Sequence, residues 1–209
     1  MTNLIPPHGG YKNLKSFQMS EIVFDLTMDF TKRYIKSFKL SEQIEGAARS
    51  GKQNISEGSQ TSGTSKQSEL RLVDVARASL EELLNDYKDF LRINNLVEWG
   101  KDDARVLAIR KLAYESNRSY TTYTTYMSNA ESAANCLLTL INQANYLLDQ
   151  QLRVLEKDLA QHGDFKDRYK EVRKQQLLDS GPPVDEFLKS QGLRRLENGR
   201  VVGLNEPDE

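Results

Sequence analysis

A chain of 209 residues is long enough to fill one hydrophobic core and carry a small appendage. Its 29 Lys and Arg balance 30 Asp and Glu to a formal net charge of −1, which excludes a uniformly basic nucleic-acid-binding domain; such binding would need a local patch or one multiplied by oligomerisation. No uncharged run approaches the ~20 residues that span a bilayer, and the single cysteine excludes an intramolecular disulfide, so the composition predicts a helix-rich, cytoplasmic protein with no membrane partner.

Residues 1–12 are expected to form a flexible tail, because Pro6-Pro7 and Gly9-Gly10 oppose regular structure, and no basic region followed by an apolar stretch marks a signal peptide. From about Ser16 to Ile35, Phe17, Val23, Phe24, Thr27, Phe30 and Tyr34 recur on one side of a helix. Lys32, Arg33 and Lys36 lie at its end, where cations suit the helix dipole. Ser37 or Ser41 can cap a second helix, whose centre runs from Gln43 to a stop at Gly58. There Ile44, Ala47, Ala48, Gly51 and Ile55 make a stripe of small and aliphatic side chains, with Gln43, Ser50, Asn54 and Glu57 as a polar stripe beside it. Gly46 and Gly51 each cost about 1 kcal/mol relative to Ala inside a helix, so close approach by a neighbouring helix is expected to offset them.

Residues 59–65 read as a loop, and Thr64 with Gln67 has the spacing of a capping box for a third helix. Leu72, Val73, Ala76, Leu80, Leu83, Leu84, Tyr87 and Leu91 carry its apolar face to Ile93, where Asn94-Asn95 ends it. Trp99-Gly100 lies in a connection, and Asp102 can cap the next helix, which has a mixed face. Tyr120, Tyr123 and Tyr126 then stand three apart in a Thr-rich stretch that predicts a kink or break. The favoured reading packs them against the helices; the alternative uses them at a protein interface or for base stacking.

From Ala130 to about Gln161 the helical pattern is strong, and Cys136 within it reads as a small hydrophobe. Gly163 suits the residue after a helix. Asp164 to Gln176 reads as a short basic helix with Phe165, Tyr169 and Val172 as its docking side. Gly181-Pro182-Pro183 breaks it; a short helical piece, a hairpin signal at Asn198-Gly199 and a frayed acidic end follow.

The residues Gln43, Ala47, Ala48, Ser50, Asn54-Ile55 and Glu57-Gly58, continued by Ala76, Ser79, Leu80, Glu82 and Leu83 in an A-x-x-S-L-x-E-L-like run, form a specific pattern. Leu14 and Phe17 open it as Leu-x-x-Phe. Together they cover most of residues 12–93 and resemble the four-helix bundle family first noticed as proteins encoded by intervening sequences of bacterial large-subunit ribosomal RNA genes, whose opening is Leu-x-x-Trp. The forms Ala-Ala-Arg-Ser-Gly-Lys-Gln-Asn-Ile and Val-Ala-Arg-Ala-Ser-Leu-Glu-Glu-Leu resemble a subgroup with a C-terminal suffix, here including Ala134 to Leu148 and Gly163 to Arg168.

The resemblance implies an all-α, antiparallel up-down four-helix bundle, expected over residues 13–162; residues 163–209 are expected to form a suffix segment whose own pattern reads as a helical extension and a short terminal hairpin. It also implies a homopentamer. Some relatives are accessory proteins of diversity-generating retroelements that bind nucleic acid and a reverse transcriptase through basic surfaces. This chain departs from the family at Glu45-Gly46, where paired arginines are frequent.

Enzymatic chemistry has little support: His8 and His162 lack partners at metal-ligand spacing, and no P-loop, nucleophile elbow or dinucleotide fingerprint is present. No cofactor, metal or catalytic residue is expected. Gln43, Ser50, Asn54, Glu57, Ser79 and Glu82, with Arg49 nearby, read as a structural polar cluster rather than an acid/base pair of Glu57 and Glu82. The leading functional expectation is a non-enzymatic oligomeric binding module for RNA, DNA or a ribonucleoprotein. Its candidate patches are Lys32, Arg33, Lys36, Lys39, Arg49 and Lys52, and Lys166, Arg168, Lys170, Arg173 and Lys174. Each patch also reads as a solvated face interleaved with acids. The alternative is a protein-interaction scaffold that uses the tyrosines and the C-terminal hairpin segment.

Overall fold

A computed structural model describes residue 5 and residues 7–115, 118–179 and 182–206. Residues 1–4 and 6 of the expected tail, Gly181 of the expected break and the acidic end from Pro207 lie outside the described residues. The described chain is all-α apart from one small hairpin. After a short 3-10 turn at Tyr11–Asn13 come α1 (Lys15–Tyr34), α2 (Phe38–Thr61), α3 (Lys66–Ile93), α4 (Ala104–Leu112), α5 (Tyr120–Tyr123), α6 (Ala130–His162), α7 (Phe165–Asp179) and α8 (Pro182–Ser190). Strands β1 (Leu193–Arg195) and β2 (Val201–Gly203) pair antiparallel, with Arg194 opposite Val202. No helix among the described residues is long and apolar enough to cross a membrane.

Contacts divide the chain into two units, Met1–Phe165 and Lys166–Glu209. In the first, α2 packs on α1 and α3, and α6 packs on the same two helices from the other side, so four long helices share one core. Phe30 of α1 meets Tyr87 edge-on with ring centroids 5.0 Å apart, and the Tyr87 hydroxyl donates to Thr27 Oγ1 at 2.9 Å. That bond satisfies the polar tip of a fully buried ring. In the second unit α8 packs on β1 and Val202 is buried. Its hairpin turns through Leu196–Gly199, where Gly199 N–H donates to the Leu196 carbonyl at 2.9 Å and Gly199 takes a φ of 84° that favours glycine.

Helix boundaries follow local chemistry with shifts of one to three residues. Ser37 caps α2, as one of the two expected serines. The cap of α3 is Ser65 rather than Thr64, because Ser65 has the extended backbone and accepts from Ser68 N–H at 3.1 Å, while the Thr64 hydroxyl turns back to the Thr61 carbonyl. Likewise Asp103, not Asp102, caps α4. Arg105 donates to the Asp103 carboxylate and holds it down to about 2. Asp164, just past α6, accepts from Lys66 N–H at 2.8 Å and ties the end of α6 to the start of α3. Helix α2 runs past the expected stop at Gly58 to Thr61, because Gly58 serves as a contact with α3: a Cβ there would stand 3.3 Å from the Glu69 carbonyl.

The two interior glycines of α2 differ. A Cβ on Gly51 would lie 2.6 Å from Leu80 Cδ2 and 2.8 Å from its Cγ, so this glycine sets the approach of α2 and α3. Gly46 is exposed, with nothing within 4 Å of the Cβ position, so the expected close approach does not occur there. Gly46→Ala is therefore expected to raise Tm, with a gain of about 0.5–1 kcal/mol from helix propensity. Gly51→Ala is expected to lower it, because overpacking against a fully buried leucine costs about 1–3 kcal/mol and outweighs the same gain. Thermal unfolding followed by circular dichroism checks both signs; equal shifts in one direction would refute the distinction.

Candidate nucleic-acid interface

The expected polar cluster assembles only in part. Ser50 of α2 and Ser79 of α3 stand Oγ to Oγ at 3.0 Å, and Asn54 Nδ2 donates to Ser50 Oγ at 3.1 Å and to its carbonyl at 2.9 Å. Ser79 also donates to the Val75 carbonyl. These half-buried groups bridge α2 and α3 and satisfy one another. Gln43, Glu57 and Glu82 are exposed and do not join them. Gln43 and Glu57 each lie seven residues from Ser50 along α2, about 10 Å of helix rise, which is too far for direct contact. Arg49 is exposed as well, so no acid/base pair with a buried orienting arginine forms.

The first basic set separates into occupied and open cations. Arg33 Nε donates to Asp29 Oδ1 at 2.7 Å, and its guanidinium reaches the Met127 carbonyl at 3.3 Å. The Asp29 bond raises the Arg33 pKa, and Tyr34 donates to the same carbonyl at 2.7 Å. Arg33 thus fastens the 3-10 segment Thr124–Ser128 onto α1. Lys52 is half-buried, with Nζ 4.0 Å from the centre of the Phe24 ring. Lys32, Lys36, Lys39 and Arg49 are exposed and form no ion pair among the described residues.

Three of those four meet at one corner. Lys32 lies in the last turn of α1, Lys36 in the connection and Lys39 in the first turn of α2. Arg49 is ten residues farther along α2, about 15 Å of rise. Of the acids between residues 31 and 53, Glu42 is exposed, whereas Glu45 is half-buried and accepts from Thr31 Oγ1 at 2.6 Å. The Glu45 carboxylate is thus turned toward α1 and held by Thr31.

Phe38, the first residue of α2, is 78% exposed between Lys36 and Lys39. It belongs to this surface although the apolar periodicity of the helices gives no hint of it. The available signal is the placement of an aromatic ring in Lys36-Ser-Phe38-Lys39 before the core stripe begins.

The second basic set lies on α7. At 100° per residue, Lys166, Lys170, Arg173 and Lys174 share one face, and Arg168 falls on the opposite side. Those four are exposed; Arg168 is half-buried, with Nε enclosed and unpaired. Of the expected docking side, Phe165 is half-buried while Tyr169 and Val172 are exposed.

The tyrosine stretch folds inward. It forms α5 and the 3-10 segment after it, with Tyr123 fully buried and Tyr120 and Tyr126 half-buried. Tyr120 donates to Asp29 Oδ2 at 3.1 Å. Packing encloses Tyr123 and leaves Tyr120 and Tyr126 partly at the surface.

Among the described residues no group of His, Cys, Asp and Glu is arranged to hold a metal ion. His162 sits 2.9 Å from Asp158 one helical turn away. Cys136 is buried, and burial pushes its thiol up to about 12. No family model, curated protein or solved structure matches the chain.

A raised thiol pKa inside the core makes Cys136 unreactive in the native state. Reaction with a thiol reagent at pH 8 is expected to be fast in denaturant and, under native conditions, only as fast as global unfolding exposes the thiol. Rapid stoichiometric labelling of the folded protein would show that the core around α6 opens locally.

Proposed function

We propose that the chain is a non-enzymatic helical binding module whose α1–α2 corner holds single-stranded nucleic acid. The observation that carries this reading is the exposed Phe38 ring set among Lys32, Lys36 and Lys39, which form no ion pair among the described residues. Lysines attract phosphates, and an exposed ring offers a base a stacking partner without selecting its sequence. The four long helices around one core, joined in part by short connections, support the further reading of an antiparallel up-down bundle of the intervening-sequence type. In that reading the protomers form a homopentamer, whose ring repeats the corner five times and turns a neutral chain into a polyanion-binding face.

A second reading, a protein-interaction scaffold with no nucleic-acid contact, draws on exposed Val184, Phe187 and Val201 in the C-terminal unit. Native mass spectrometry of lightly purified protein, before and after nuclease, separates the two. Nuclease-sensitive mass on an oligomer supports the first reading, and a stoichiometric protein with no nucleic acid supports the second.

The corner itself is tested with a fluorescent single-stranded oligonucleotide. Binding is expected to weaken steeply with salt, and replacing Lys32, Lys36 and Lys39 together by Gln should lower the log–log salt slope by about 0.7 per lost phosphate contact. Phe38→Ala should weaken binding about tenfold with the slope unchanged, as loss of one stacked base would. A flat salt dependence, or equal binding by the triple variant, would remove the corner as the site.

A further inference from the structure

A cleft of about 460 Å3 opens between the start of α1, the end of α4 with the residues after it, and the middle of α6. Three cations line it, Lys15, Arg110 and Arg118, and no carboxylate does. Two tyrosines stand in its walls: Tyr114 is 88% exposed and Tyr146 is 64% exposed. Lys15 forms no ion pair among the described residues.

Two enclosed polar atoms in this cleft have no partner. One is Arg118 Nε; the other is one end of the Gln143 amide, whose opposite end donates to the Arg110 carbonyl at 3.4 Å. Buried groups left unpaired are costly, and native proteins leave few of them. Both belong to residues that line the cleft.

We propose that this cleft binds a nucleotide, free or at the 5′ end of a strand. Its phosphate is held by Lys15, Arg110 and Arg118, since guanidinium groups match phosphate geometry and the cleft's own lining holds no acid. Its base lies against Tyr114 and Tyr146, and a base amino or imino group completes the Gln143 amide. A simple anion would leave the rings and the amide unused, and an apolar ligand would leave the cations unpaired. The volume falls within the roughly 300–1,000 Å3 usual for small-molecule sites. No residue of the cleft belongs to the α1–α2 corner, so the site stands independently of it.

Calorimetric titration of the full chain with AMP, GMP, CMP and UMP tests the proposal, with adenosine and inorganic phosphate as controls. At least one mononucleotide is expected to bind, with nucleoside and phosphate alone about tenfold or more weaker. Arg118→Gln and Tyr146→Ala should each weaken binding about tenfold or more, while Lys157→Gln, at an exposed lysine of α6 outside both surfaces, leaves it unchanged. Tyr146 is mostly exposed, so its variant tests the site even if Arg118→Gln fails to fold. Binding only by a 5′-phosphorylated oligonucleotide, again lost in these two variants, assigns the strand end as the source. The proposal is overturned by no binding of either the mononucleotides or the 5′-phosphorylated oligonucleotide up to about 1 mM, by undiminished binding in both variants, or by phosphate alone binding as tightly as the nucleotide.

Discussion

The middle of α6 is buried on every side, and the surrounding architecture follows from that. Residues 133–141 form an unbroken enclosed run, which an amphipathic surface helix does not have. α1 and α3 cover part of it; α4 and the 3-10 segment at Thr124–Ser128 also pack on α6. The connection before α4 is held down as well. Asn135 in the enclosed run accepts from Trp99 N–H at 2.8 Å and donates to the Val97 carbonyl at 2.8 Å. Glu131 accepts from the Trp99 indole at 3.1 Å, and the Arg105 guanidinium lies 3.8 Å from the centre of that ring. A buried amide therefore satisfies the backbone of an irregular segment, as a loop pressed onto a core requires.

Covering α6 in this way also places the surface chemistry. Met127 and Tyr123 enter the core, and the Met127 carbonyl becomes the anchor for Arg33 and Tyr34. The same docking of α4 brings Arg110 and Tyr114 beside Tyr146 of α6 and Lys15 of α1, where the nucleotide-sized cleft lies. Two surfaces of the first unit thus combine cations with exposed aromatic rings, one at a helix corner and one in a concavity. A chain of net charge −1 can hold such places because some of its acids are paired elsewhere, as Asp29 is with Arg33.

Much of the fold is legible along the chain because helices are local objects. The apolar stripe of α3, the left-handed Asn95 that ends it, the Ser37 cap and Gly163 after α6 each express a preference of a few neighbouring residues. The break in the Thr-Tyr stretch and the hairpin at Asn198-Gly199 are legible for the same reason. Capping positions are displaced by one residue where two adjacent side chains can both cap, because backbone dihedrals decide between Thr64 and Ser65.

The sequence by itself determined an all-helical chain, its helix order and the residue types available to each surface. Only the tertiary structure decided which of those residues are free to act. Arg33 and Lys32 are adjacent cations, yet one is bound to Asp29 and the other is open. Gly46 and Gly51 are equivalent in composition, but Leu80 presses on only one of them. Tyr123 is fully buried while Tyr120 and Tyr126, three residues to either side of it, are only half-buried. The physical reason is that charge, size and polarity are properties of single residues. Availability depends on distances to side chains tens of residues away, which close packing sets and no local pattern records.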